Sequence, residues 1–142
     1  MENEVIEETS AGIVIFRRDN AKILFLLLHY PSGHWDFVKG KMEKDETPHQ
    51  TAIRETEEET GITGVKMINN FEEWIEYNFQ FQGKLVHKKV VFFLGETGTE
   101  DVSISHEHLG YVWEDYLTAM ERTTFDNAKT VLTKAYSALK TL

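Results

Sequence analysis

The segment Gly40–Ile62 reads GKMEKDETPHQTAIRETEEETGI and decides the fold of this chain. Thr47 is suited to cap a helix, because Pro48 stands at the first helical position and Gln50 follows three residues after the cap. Gly61 tolerates the left-handed conformation that ends many helices. The segment therefore predicts a helix that begins at about Pro48 and ends just before Gly61.

The predicted helix is crowded with carboxylates. Glu55, Glu58 and Glu59 stand at i, i+3 and i+4 and share one face, whereas Glu57 points away from them toward solvent. Carboxylates this close repel one another unless a cation lies among them. Hard divalent cations prefer oxygen ligands, so we expect the three side chains to converge on a magnesium ion. On charge alone, the alternative is an ordinary solvated helix face.

The spacing of the fixed residues resembles the signature of the Nudix hydrolase family. The matching positions are Gly40, Glu46, Arg54-Glu55, Glu58-Glu59 and Gly61-Ile62. One position departs from the family pattern, because Thr56 stands where a bulky aliphatic residue is usual. The resemblance implies an α/β (α+β) fold in which a mixed β-sheet is sandwiched between helices (α/β/α). It also implies metal-dependent hydrolysis of a nucleoside polyphosphate, with Mg²⁺ or Mn²⁺ as cofactor.

The resemblance also implies a set of metal ligands. Gly40 contributes its backbone carbonyl, and Glu55, Glu58 and Glu59 are metal ligands or supply the base for an attacking water. A further carboxylate is expected from Glu107, because Ser105–His108 and the aromatic residues after it resemble the diadenosine tetraphosphate hydrolase branch. Which of Glu55, Glu58 and Glu107 is the base stays open.

Two other interpretations concern residues near these ligands. Arg54 is expected to pair with Glu46 and to hold the loop against the helix, since a guanidinium beside several carboxylates has a bidentate partner available. From the residues alone, His106 and His108 flanking Glu107 suggest a zinc site, although i and i+2 ligands on one segment seldom complete a tetrahedron. The other histidines are expected to be surface or packing residues: His29, His49 and His87.

Four side chains are candidates for contact with substrate. Trp35 either stacks on a base or packs in the core, and Phe37 is a core candidate. Lys39, which directly precedes the signature, suits a phosphate. By resemblance to the same branch, Tyr77 stacks on adenine and Lys88 binds phosphate, with the neighbouring Lys89 as an alternative. From the residues alone, Tyr77 is equally a core tyrosine on the face of Ile75 and Phe79.

Length and composition fit a single globular domain over residues 1–142. The chain has 142 residues, of which 41% are hydrophobic and 12% aromatic, enough to build a core. It has no cysteine, which removes disulfides and thiolate metal sites. The polar, acidic start MENEVIEETS is unlike a signal peptide, and no apolar run suits a membrane span, so we expect a cytoplasmic protein without membrane contact.

A net charge of −9 argues against binding to DNA, which relies on clustered lysine and arginine. An anionic substrate must then be bridged by metal and by a few local basic residues. We expect the partner to be a small nucleotide, and the protein to be a monomer or a homodimer.

The rest of the chain predicts strands around the acidic helix. Residues 11–17 and 22–29 are aliphatic runs separated by a turn, and residues 74–81 and 85–94 flank Gln82-Gly83-Lys84, so two hairpins are expected. The C-terminus predicts a helix with one apolar stripe, formed by Phe125, Ala128, Leu132, Ala135, Leu139 and Leu142.

Taken together, the resemblance implies asymmetric hydrolysis of diadenosine tetraphosphate to ATP and AMP. Two alternatives stay open. The first is another Nudix hydrolase acting on nucleoside triphosphates, nucleotide sugars or the 5′ end of RNA. The second is a non-catalytic nucleotide-sensing domain, which would be expected to lose signature carboxylates that this chain keeps.

Overall fold

The computed structural model describes residues 4–141, which form eight β-strands and three α-helices. The strands are β1 Val5–Asp19, β2 Lys22–His29, β3 Trp35–Asp36, β4 Val38–Lys41, β5 Lys66–Met67, β6 Glu73–Phe81, β7 Lys84–Glu96 and β8 Gly110–Glu114. The helices are α1 Pro48–Thr60, α2 Tyr116–Arg122 and α3 Asp126–Lys140.

The strands form one mixed sheet whose central strand is β1. β1 runs parallel to β7, while its other edge pairs antiparallel first with β4 and then with β2. β6 pairs antiparallel with β7, so both predicted hairpins are confirmed. The second hairpin turns through Gln82 and Gly83, whose φ angles of 51° and 77° match the type I′ turn favoured in two-residue hairpin loops.

Side chains that alternate along β1 and β7 build a separate core on each face of the sheet. Toward α1 lie buried Ala11, Ile13, Ile15, Leu26, Leu28, Val38, Ala52, Ile62, Val91 and Phe93. Toward α2 and α3 lie a second set that includes Val14, Phe16, Phe25, Leu27, Phe37, Val90, Phe92, Val131 and Leu132. Helices therefore cover both faces, which confirms the predicted α/β/α arrangement.

The caps of α1 form as the sequence predicts. Thr47 Oγ1 accepts from the Gln50 backbone N–H at 3.2 Å, and the Gln50 side chain accepts from the Thr47 N–H at 2.9 Å. Gly61 ends the helix with φ 72°. The unusual Thr56 is buried, and its hydroxyl donates to the Ala52 carbonyl at 2.8 Å, so it packs against the sheet without an unpaired polar group.

The C-terminal helix is confirmed, but its stripe needs two changes. Phe125 is not part of the buried stripe, because it lies at the N-cap of α3 with half of its surface exposed, while Val131 is buried on the helix instead. Leu142 lies outside the described residues. None of the three helices described here has both the length and the apolar character required to cross a bilayer.

Candidate active site

Arg54 joins the loop before α1 to the carboxylates of the helix. Its Nε and Nη2 donate to the two carboxylate oxygens of Glu46 at 2.6 and 3.0 Å, and Nη2 also donates to the Lys41 carbonyl at 3.0 Å. Nη1 reaches Glu55 at 2.8 Å and Glu58 at 3.2 Å. The hydrogen bond from Arg54 lowers the pKa of Glu46 to about 2. The predicted pair is present, and it holds loop and helix together.

Glycine at position 40 lets α1 approach β4. Gly40 pairs with Ala11 of β1, and a Cβ built on Gly40 would overlap the carboxylate of Glu55. The Glu55 side chain is only 15% exposed. The strand backbone and the Glu55 carboxylate therefore lie together, as the predicted metal site requires.

Glu59 is the most buried carboxylate of the group. Burial raises its pKa far above the usual range, and the neighbouring Glu55 carboxyl raises it further. Its Oε1 lies 3.4 Å from His108 Nε2 but has no hydrogen-bond partner. A buried oxygen without a partner is costly, so this position is suited to a cation.

The loop after β7 carries Glu107 to the same region. Ser103 N–H donates to the Thr60 carbonyl at 3.0 Å and Ser105 N–H donates to the Glu59 carbonyl at 3.1 Å, so this loop is docked on the end of α1. Glu107 is exposed, and its charge contributes to the raised pKa of Glu59. Glu107 therefore lies near Glu59, on the loop between β7 and β8.

The side chains are not, as they stand, a complete metal cage. Within residues 4–141 no group of three or more His, Asp or Glu side chains is arranged to hold a metal ion. Glu58 is 58% exposed and its carboxylate lies 3.2 Å from Arg54 Nη1, so the convergence of the three helix carboxylates on an ion stays a prediction. The absence of such a group within residues 4–141 also leaves the zinc interpretation of His106 and His108 without support.

A hard divalent cation nevertheless fits the donors that are present. The unpartnered oxygen of Glu59 and the space that Gly40 leaves beside Glu55 bring two carboxylates and a backbone strand together. Oxygen donors of this kind are what Mg²⁺ prefers, with water and phosphate completing its coordination. Glu58 and Glu107 are both exposed, so their side chains have room to reorient toward an ion.

The substrate candidates lie on the sheet face opposite α1. Tyr77 and Lys88 are direct cross-strand partners, whereas Lys89 is paired with Glu76 on the α1 side. The structure thus places Lys88, rather than Lys89, beside Tyr77. Lys88 Nζ lies 3.2 Å from a Glu8 oxygen, and burial lowers the pKa of Lys88.

Lys39 lies between the acidic group and this face. Its ammonium is 3.3 Å from Asp36 Oδ2, and its charge acts on the pKa values of both Glu59 and Tyr77. It also stands 4.9 Å from the centre of the Tyr30 ring. A phosphate held by Lys39 would therefore be close to the carboxylates.

The aromatic residues before Lys39 behave differently from each other. Phe37 is fully buried and packs edge-on against Phe92, as its core assignment predicts. Trp35 is half-buried, with His29 stacked on it at 4.3 Å and the Arg122 guanidinium 4.8 Å from its centre. A base that stacks on Trp35 must share the ring with these neighbours. The other two histidines also pack or pair as expected: His49 on Phe93, and His87 with Glu7 and Glu76.

Sequence reasoning missed three side chains that support the site. Asp36 is buried, accepts from the Phe37 N–H at 2.7 Å and pairs with Lys39. Tyr30 stacks on His34 and meets His108 edge-on at 4.7 Å. His108 was considered only as a zinc ligand, yet it is buried against Glu59. Asp36 lies three residues before Lys39 in the sequence, but nothing in this spacing indicates the ion pair.

The chain is similar to known proteins over most of its length. Residues 7–135 match the family model described as NUDIX domain. The asymmetrical bis(5′-nucleosyl)-tetraphosphatase of Sus scrofa is 36% identical, covering 92% of this chain and 94% of that protein. The dihydroneopterin triphosphate diphosphatase of Haemophilus influenzae is 30% identical over 83% of this chain and 80% of its own.

A solved structure shows the same fold. The crystal structure of a C. elegans Ap4A hydrolase binary complex has a TM-score of 0.81 and 32% identity, covering 95% of this chain and 99% of that one. The acidic helix, the ion pair of Arg54 with Glu46 and the match across residues 7–135 all indicate the same family. This chain belongs to the Nudix hydrolase family.

Proposed function

We propose that this protein hydrolyses dinucleoside polyphosphates asymmetrically, cleaving diadenosine tetraphosphate to ATP and AMP with Mg²⁺. The observation that carries the proposal is the register of β6 and β7, which puts Tyr77 directly opposite Lys88, within the charge influence of Lys39. Tyr77 thus offers a ring for a base beside the Lys88 ammonium, and the charge of Lys39 acts both on Tyr77 and on Glu59 of α1. The name of the Sus scrofa relative points to the same reaction.

The residues divide the work between binding and proton transfer. Lys39 and Lys88 hold phosphate oxygens, and Tyr77 stacks on a base, which is worth about 1–3 kcal/mol. A water adds to one phosphorus of the bridge, the bond from that phosphorus to the bridging oxygen breaks, and the nucleotide leaves with that oxygen. A carboxylate takes the proton of the water, with Glu55, Glu58 and Glu107 as candidates.

The reaction also requires a metal ion and the residues that coordinate it. Gly40, Glu55, Glu58, Glu59 and Glu107 would hold the ion, which when bound lowers the pKa of water and neutralises charge on phosphate. Arg54 keeps Glu55 in place and keeps the loop with Glu46 against the helix. Removal of the ion is therefore expected to stop the reaction.

A second candidate is hydrolysis of a nucleoside triphosphate or a related pterin triphosphate. The Haemophilus influenzae relative carries a name of this kind. The acidic helix and the ion pair of Arg54 with Glu46 serve either substrate, since they act on the phosphate chain and not on the leaving group. Only the residues around Tyr77 distinguish a dinucleoside polyphosphate from a triphosphate as substrate. Identification of the reaction products therefore decides between the two candidates.

The experiment is to incubate the purified protein with diadenosine tetraphosphate and Mg²⁺, with and without a chelator, and to separate the products by chromatography. Equal ATP and AMP, abolished by the chelator, is the expected result. Two ADP would overturn the cleavage position, and absence of turnover would favour the second candidate.

A pair of helix variants tests the metal site in the same assay. Glu58→Gln should abolish turnover while the protein stays folded. Glu57→Gln is the matched control, because Glu57 is an exposed glutamate next to Glu58 for which no contact with the site is seen. Unchanged activity in Glu58→Gln would contradict the assignment of this carboxylate.

A further inference from the structure

β6 carries a row of exposed aromatic side chains that the proposed mechanism uses only in part. Tyr77, Phe79 and Phe81 are 38%, 36% and 58% exposed. Alternate residues of a strand share one face, and the cross-strand partners of the three are Lys88, Val86 and Lys84. We call these three residues the aromatic row.

The aromatic row continues the proposed base site toward the tip of the hairpin. The Tyr77 and Phe79 rings have their centres 6.1 Å apart. Phe81 directly precedes the Gln82-Gly83 turn, roughly 13 Å along the strand from Tyr77 at about 3.3 Å per residue. The row therefore begins beside the Tyr77–Lys88 pair and ends at the tip.

The charges around the aromatic row suit a nucleotide. Lys88 stands opposite Tyr77 at one end and Lys84 stands opposite Phe81 at the other, while Val86 between them is buried. Rings with cations at both ends offer stacking to a base and ion pairing to phosphates. Contiguous exposed apolar groups on a soluble protein mark interaction sites, whereas single scattered ones are ordinary.

We infer that Phe79 and Phe81 bind the second nucleoside of a dinucleoside polyphosphate while Tyr77 holds the first. The inference rests on the proposed function. Once one end of such a substrate is bound, the second base is tethered near the row, so even weak stacking on exposed rings adds to affinity. The row thereby selects substrates with two nucleosides over those with one.

The test compares two ligands that differ only in the second nucleoside. The KM for diadenosine tetraphosphate and the inhibition constant of adenosine 5′-tetraphosphate against it are measured for the wild type and for the double variant Phe79→Ser/Phe81→Ser. We expect KM to rise about tenfold while the inhibition constant and kcat stay within twofold. Phe81→Tyr, which keeps a ring at the tip, should retain the wild-type KM.

Trp74 provides the matched control. It is an exposed aromatic residue of the same strand, 45% accessible, but it pairs with Val91 on the α1 face. Trp74→Ser should change neither constant. An equal rise for both ligands, an unchanged KM in the double variant, or the same effect from Trp74→Ser would overturn the inference.

Two further outcomes distinguish a site for the second nucleoside from a failure of the proposed function and from a dimer interface. A wild type that does not turn over diadenosine tetraphosphate would overturn the proposed function and the inference with it, whereas an active wild type with an indifferent double variant would overturn the inference alone. Sedimentation of both proteins tests a second copy of the chain as occupant. A wild-type dimer that the double variant converts to monomer would assign the aromatic row to an interface instead.

Discussion

Gly40 shows how one missing side chain shapes the site. The carboxylate of Glu55 fills the space that a Cβ at position 40 would need, so Gly40→Ala must displace Glu55 from its contact with Arg54. Misplacement of a catalytic group by about 1 Å can cost about 100-fold in rate, and we expect a fall of that size in kcat. Turnover at saturating substrate and Mg²⁺ measures it.

Gly98→Ala is the matched control for this substitution. No atom lies within 4 Å of a Cβ built at Gly98, so the added methyl group meets open space. Its activity should equal that of the wild type. If Gly40→Ala kept full activity, the close approach of Glu55 to β4 would have no role in the reaction.

The free energy of unfolding should depend on pH through the carboxyl group of Glu46. Its folded-state pKa of about 2 lies below the ordinary value of 4.5, because Arg54 donates to its carboxylate. The contribution of this group to folding is therefore present above pH 4.5 and is lost as the pH falls toward about 2. Glu46→Gln removes this dependence.

Urea unfolding of the wild type and Glu46→Gln at several pH values checks the sign. The free energy of unfolding of the wild type should exceed that of the variant above pH 5, and the gap should close as the solution is acidified through the interval between 4.5 and about 2. A gap that stays constant through this interval would show that the Arg54 contact does not depend on the ionised carboxylate.

At the scale of the elements, α1 depends on its N-cap. The Thr47 hydroxyl and the Gln50 side chain satisfy each other's backbone N–H groups, so Thr47→Ala should lower the free energy of unfolding by about 1 kcal/mol. Thr47→Ser keeps the hydroxyl and should retain nearly all of it. Chemical denaturation of both variants measures the difference, and equal losses would mean that the cap bond is not what stabilises the helix.

The elements that could be predicted from the sequence are those whose signals are local. The bounds of α1 followed from residues within one turn of each end, and the β6–β7 hairpin followed from its Gln82-Gly83 turn. The parallel pairing of β1 with β7 could not be derived, because it joins residues 80 positions apart, such as Val5 and Leu85. The wrong inclusion of Phe125 has a local cause, since the three- and four-residue spacing extends back to the N-cap, one position before the helix begins.

The same distinction applies to the site. Arg54 and Glu46 could be paired from the sequence because they lie on one loop and its helix. The contacts of Glu59 with His108 and of Asp36 with Lys39 depend on how a distant loop docks on α1 and how the chain bends between β3 and β4. The outward position of Glu58 also required the structure, because residue spacing places a Cβ but does not choose a rotamer.

At the scale of the molecule, β4 presents successive residues to the two sides of the sheet. Lys39 and Gly40 are consecutive, so they face opposite sides: Gly40 meets the carboxylates of α1, and Lys39 acts on the Tyr77 face. A protein of net charge −9 can thus attract phosphate at one place while it repels polyanions elsewhere. If the proposed function holds, a metal beside Gly40 and the ammonium of Lys39 would act on one phosphate chain from neighbouring positions of β4.

The stability of the whole molecule should respond to Mg²⁺ through Glu59. Without metal, burial raises the pKa of Glu59 and favours its neutral form, so Glu59→Gln, which carries no charge, should unfold at nearly the wild-type temperature. Mg²⁺ that binds only the folded state adds about 2.7 kcal/mol at 100 times its Kd, which raises the Tm of a domain of this size by roughly 8 °C. Thermal unfolding with and without Mg²⁺ should show this rise in the wild type and in Glu57→Gln, but little of it in Glu59→Gln. A full rise in Glu59→Gln would place the ion away from the one buried carboxylate oxygen that, within residues 4–141, has no hydrogen-bond partner.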